Sequence, residues 1–112
     1  MQYEKAITEH GDDWTAMNNF ARLLATCPDA RFRDGKRAVS IAMEVYQKNP
    51  QECTLYVIAA AYAETGDFTS ATNWAYKARD VPGYDRVAIE KMLAEFKLGR
   101  ACRWQGTLDR WK

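Results

Sequence analysis

The sequence predicts an all-α chain, about six helices arranged as antiparallel pairs, and three observations carry that expectation. Apolar residues recur at helical spacing: Phe20, Leu23 and Leu24; Val39, Ala42, Met43 and Tyr46; Leu55, Ile58, Ala59 and Tyr62. Strand signals are missing, with no sustained alternation and no Asn-Gly or Asp-Gly turn between β-branched runs. The chain also repeats itself. FARLLA (20–25) lies over IAAAYA (58–63) at an offset of 38, and RAVSIAMEVYQKNP (37–50) lies over SATNWAYKARDVPG (70–83) at an offset of 33. The two offsets differ by five residues, so the connection inside the first helix pair is expected to be five residues longer than that inside the second.

The spacing predicts helices over 2–10, 13–26, 35–48, 52–65, 68–80 and 85–99. The first, with Tyr3 and Ala6 at its packing positions, reads as the second half of an earlier unit. The second ends at Pro28, which lacks a backbone donor and clashes with the preceding turn. Asp29 is placed to cap a short turn and Asp34 to cap the helix beginning near Gly35. Pro50 closes the first full unit. In the second unit, Gly66 suits a left-handed helix end and Asp67 the cap of the next helix. The helix over 85–99 sets Ile89, Met92, Leu93 and Phe96 on one face, as a terminal cap or the start of another unit. Domain organisation follows: one domain over 1–100, made of a partial repeat (1–11), a repeat with the insertion (14–51), a second repeat (52–85) and a capping helix (86–99), then a basic tail (100–112) containing Trp104 and Trp111.

Small alanines at Ala38, Ala42, Ala59, Ala71, Ala75 and Ala78 allow close approach of paired helices, with larger side chains filling the space around them. Leu55, Ile58-Ala59, Tyr62, the turn Gly66-Asp67-Phe68, then Ala71, Ala75, Ala78 and a nearby proline together resemble the tetratricopeptide repeat. Met17, Phe20-Ala21, Leu24, Ala38, Ala42 and Pro50 match the same pattern in the first unit. The stretch LATCPDARFRDGKRA (24–38) resembles a variant loop common in bacterial proteins of this family. The resemblance implies a right-handed α–α superhelix, a bacterial source, a possible place in a larger array, and binding of another protein or peptide.

Composition sets the outer limits. Net charge is +1, 47% of the 112 residues are hydrophobic and 28% are charged, as in an ordinary single globular domain. A net charge this small supplies no global field for nucleic acid or an anionic membrane. No apolar run reaches the ~18 residues of a membrane span. Charge is uneven, at −3 over residues 1–20 and +4 over 97–112. Cys27, Cys53 and Cys102 are an odd set with no CxxC pair, which reads as free thiols in a reducing, cytoplasmic setting. With His10 as the lone histidine, there is no metal-ligand spacing, no cofactor motif and no nucleophile–base pair, so no enzyme activity is expected. Gly35-Lys36-Arg37 lacks the upstream glycine of a phosphate loop.

Two surfaces remain as binding candidates. The family pattern, carried over, puts Thr15, Asn18, Asn19, Arg22 and Thr26 from the first unit on a concave groove, with Cys53, Tyr56, Val57, Ala60 and Glu64 from the second. Asparagines can hold a peptide backbone, Arg22 can grip a carboxylate with two donors, and Tyr56 offers a flat apolar contact. No groove position is a lysine, unlike the variants of the family that clamp a C-terminal carboxylate. The second candidate is the loop bearing Arg31, Arg33, Lys36 and Arg37, as a site for an anionic partner, with Phe32 expected to plug the end of the helix pair. The alternatives to a peptide module are nucleic-acid binding through this loop and the tail, and a structural or self-associating segment joined through the array ends.

Overall fold

The computed structural model describes residues 14–49, 54–82 and 85–103. Every regular element among them is helical: α1 Trp14–Thr26, a short 3-10 turn Ala30–Phe32, α2 Gly35–Lys48, α3 Leu55–Glu64, α4 Phe68–Arg79 and α5 Arg86–Lys97. The helix expected over 2–10, Cys53, and the tail from Trp104 onward lie outside the described residues. The five described helices begin and end within three residues of their expected bounds.

Aspartates fix the starts of α2, α4 and α5. Asp34 accepts the Arg37 N–H at 3.2 Å, Asp67 accepts the Ser70 N–H at 3.0 Å, and Asp85 accepts the Val87 and Ala88 N–H groups at 2.9 and 3.2 Å. α3 stops at Gly66, whose φ of +90° is open to glycine at little cost. There the Gly66 N–H reaches the Ala63 carbonyl at 3.0 Å and the Asp67 N–H reaches Tyr62 at 3.1 Å, a Schellman pair that satisfies two helix-end acceptors.

Each helix packs on its sequence neighbour, and α1 also packs directly on α3. Short connections join α1 to α2 and α3 to α4, and each of these two pairs is packed together. Eight residues join α1 to α2 and three join α3 to α4, a difference of five, as the two repeat offsets require. The alanines Ala38, Ala42, Ala59, Ala71, Ala75 and Ala78 are all fully buried, and Phe20, Leu23, Leu24 and Ile58 fill the space beside them. α5 adds Ile89, Met92, Leu93 and Phe96 to the same core, with the Phe96 ring 5.9 Å from Phe68.

α3 is the central element, in contact with α1, α2 and α4. Its run Leu55–Ala63 carries no charge, and only Tyr56 and Tyr62 in it are more than marginally exposed. A helix apolar all round is one buried all round. No helix among the described residues is long and apolar enough to cross a membrane.

Candidate functional site

The insertion loop folds inward through Arg33, not Phe32. Phe32 is 42% exposed, with the Arg31 guanidinium 5.7 Å from its ring centre, so the expected plug is overturned. The reason is hydrogen-bond demand. The chain leaves α1 after Thr26 with open carbonyls at Cys27 and Pro28, and the Arg33 guanidinium supplies donors to them, Nη1 to the Cys27 oxygen at 2.8 Å and the Pro28 oxygen at 3.2 Å. Its Nε bonds Glu64 Oε1 at 3.0 Å, and the Asp34 N–H adds a bond to the Leu24 carbonyl at 2.8 Å. A phenyl ring satisfies none of these acceptors.

The four basic residues of the loop do not converge on one point. Arg31 pairs with Asp29 at 2.7 Å, and Asp29 also caps the 3-10 turn, holding its carboxyl below the usual carboxylate range. Arg33 points to Glu64. Arg37 lies over the Phe20 ring at 5.1 Å, and Lys36 is exposed.

The expected groove positions divide into buried and accessible ones. Asn18 is only 3% exposed and its Oδ1 accepts a hydrogen bond from the Thr54 hydroxyl at 2.9 Å, so it ties α1 to the start of α3 instead of facing a ligand. Val57 and Ala60 are fully buried, and Thr26 is buried with its hydroxyl donating to the Arg22 carbonyl at 2.7 Å. The cause is common to these positions: α1 and α3 pack against each other directly. Asn19, Arg22, Tyr56 and Glu64 stay partly exposed, and Thr15 is exposed.

Arg22, Tyr56 and Glu64 bring polar chemistry to the α1/α3 face. Arg22 Nε is sealed from solvent and has no hydrogen-bond partner among the described residues. The Arg22 charge acts on the Tyr56 phenol, and burial outweighs it, pushing that phenol up to about 12. Glu64 stands eight residues beyond Tyr56, on the same side of α3 after a little over two turns.

Sequence reasoning missed that the chain folds back over this face. The Arg100 N–H bonds the Glu95 carbonyl at 2.9 Å as α5 closes, and Ala101 and Cys102 then pack against the core. The Cys102 thiol is a neighbour of the Tyr56 phenol. Arg103 Nη1 lies 2.7 Å from Glu64 Oε2, which is sealed from solvent and out of hydrogen-bond alignment, so the contact is coulombic. Glu64 therefore stands between two arginines, one per oxygen. The sequence showed an acid, Glu64, after the uncharged run Leu55–Ala63 and a basic stretch over 97–112, but nothing in it pairs the two.

Comparisons with family models, with curated proteins and with solved structures return no match for this chain.

Proposed function

We propose that the chain is a protein–protein interaction module of the tetratricopeptide type, whose α1/α3 face receives an extended peptide or a partner helix. Support for the fold reading comes from the buried alanines at repeat-equivalent positions, from the Gly66-Asp67 turn, and from α1 packing on α3 as one unit steps onto the next. A cytoplasmic, bacterial setting belongs to the same reading.

The observation that carries the functional reading is Arg22. Its Nε is sealed without a hydrogen-bond partner among the described residues, beside a half-buried tyrosine. A buried donor left unmade costs about 1–3 kcal/mol. A carboxylate that displaces what seals Nε takes it together with one Nη in the guanidinium plane, removing that penalty and fixing orientation. Asn19 beside it offers donors and an acceptor to the peptide backbone. The preferred ligand is thus a segment with an acidic side chain within its length.

The test is a pool of synthetic extended hexapeptides, each with one acidic residue, and a matched neutral pool. Wild-type chain is expected to retain the acidic pool, and Arg22→Ala to weaken retention about tenfold without lowering the melting temperature. Equal retention of both pools, or indifference to Arg22→Ala, removes this reading.

A further inference from the structure

The α1/α3 face is not bare, and what covers it carries chemical information. Two consecutive residues, Cys102 and Arg103, contact two α3 side chains eight residues apart, Tyr56 and Glu64. On a helix that separation is ~12 Å, so the covering segment and the Arg103 side chain run along the helix. Ala101 is a small residue packed on the core at the start of the segment. Read as a ligand, the segment offers a small side chain, then a second small, half-buried side chain packed on the core, then a cation for Glu64.

The hold on this segment is weak by construction of its contacts. The Arg103–Glu64 pair is close but misaligned for a hydrogen bond, and the Arg103 side chain is 38% exposed. Glu64 keeps its aligned bond to Arg33 Nε when Arg103 departs, so departure leaves no unpaired buried carboxylate. Upstream, the Arg100–Glu95 pair at 3.6 Å lies between exposed side chains and contributes little. The face that emerges is Tyr56 and one Glu64 oxygen.

We infer that Ala101–Arg103 is a resident ligand of the α1/α3 face, and that the face accepts in trans an extended basic peptide with the same order of groups: two small residues, then a cation. The inference rests on the peptide-groove reading and narrows it, because Glu64 selects a cation at one end of the groove while Arg22 selects a carboxylate elsewhere. A binding partner must displace the resident segment, so affinity in trans is set partly by how readily residues 101–103 lift away.

Two measurements on the full chain decide it. The first is peptide-resolved alkylation by iodoacetamide, which reports Cys102 and the buried Cys27 separately. Arg103→Gln is expected to speed Cys102 alkylation about tenfold while Cys27 stays slow. Acceleration of both thiols together, or of neither, overturns the inference, since the segment then moves only with global unfolding or is not held by Glu64. The second is fluorescence anisotropy with a labelled LGRACR peptide (residues 98–103) under reductant. Arg103→Gln chain is expected to bind it about tenfold more tightly than wild type, and a peptide ending in Gln about tenfold more weakly than LGRACR. Equal affinities, or no binding to either chain, overturn the inference. Loss of acidic-peptide retention with LGRACR binding intact instead removes the Arg22 reading and leaves this one standing.

Discussion

Arg33 Nε lies 3.0 Å from Glu64 Oε1 across thirty-one residues of sequence, joining the insertion loop of the first helix pair to the end of α3 in the second. Both side chains are largely covered, 18% and 15% exposed, and the same guanidinium serves two carbonyls at the end of α1. The five added residues therefore act as a clasp between units. Arg33→Ala leaves those acceptors short of donors and is expected to cost about 1–3 kcal/mol of stability. Arg31 has a side chain 83% exposed, and Arg31→Ala should leave the urea midpoint where it is. Equal effects from the two substitutions would show that the loop is a solvated connector.

Gly35 and Gly66 make contrasting demands. A side chain at Gly35 meets the Thr65 nitrogen at 3.0 Å and the Glu64 carbonyl carbon at 3.1 Å, both backbone atoms that move only with the α3 end. Gly66 has open space around it but a φ of +90°. Gly66→Ala is expected to cost about 1–2 kcal/mol through backbone strain alone. Gly35→Ala gains up to ~1 kcal/mol of helix propensity and loses about 1–3 kcal/mol to overpacking, for a net loss. A stabilised Gly35→Ala protein in thermal melts contradicts the close approach of the two turns.

Ala59 and Ala71, both fully buried, sit on the two helices of the second pair. Replacing either with Leu adds volume where the neighbours are already in contact, and about 1–3 kcal/mol of destabilisation is expected. Ala94, on the exposed side of α5, is the control: Ala94→Leu should move the melting temperature little. A larger shift for Ala94→Leu than for Ala59→Leu overturns the assignment of the seam.

The helices and their caps were legible because they depend on local chemistry. Asp34, Asp67 and Gly66 do in three dimensions what their positions beside apolar runs require. The five-residue difference between offsets matches the two connections, eight residues against three. The groove was read less well, because family-type positions do not say how closely two helices approach. Asn18 looks surface-like by composition, yet Thr54, thirty-six residues away, takes its side chain inward. Phe32 was misjudged because the rule that a phenyl ring prefers burial ignored the carbonyls at the end of α1, which only a donor such as Arg33 satisfies. The return of residues 101–103 depends on a coulombic contact between Arg103 and Glu64, and no local pattern encodes a pairing thirty-nine residues apart.

The Cys102 thiol and the Tyr56 phenol titrate late for the same reason, and that gives a pH prediction. Burial pushes Cys102 from 9.0 up to about 11, with Arg103 opposing, and pushes Tyr56 from 10.0 up to about 12, with Arg22 opposing. Both groups bind their protons more tightly folded than unfolded. Their stabilising contribution is therefore complete below the unfolded values and drains away as pH rises through the folded ones. Wild-type stability is expected to fall between pH 9 and pH 11 more steeply than that of Cys102→Ala, which lacks the thiol. Urea midpoints of the two proteins at pH 8, 9, 10 and 11 measure the difference. Parallel curves across that range would place the thiol in water, and with it the whole segment from Ala101 to Arg103.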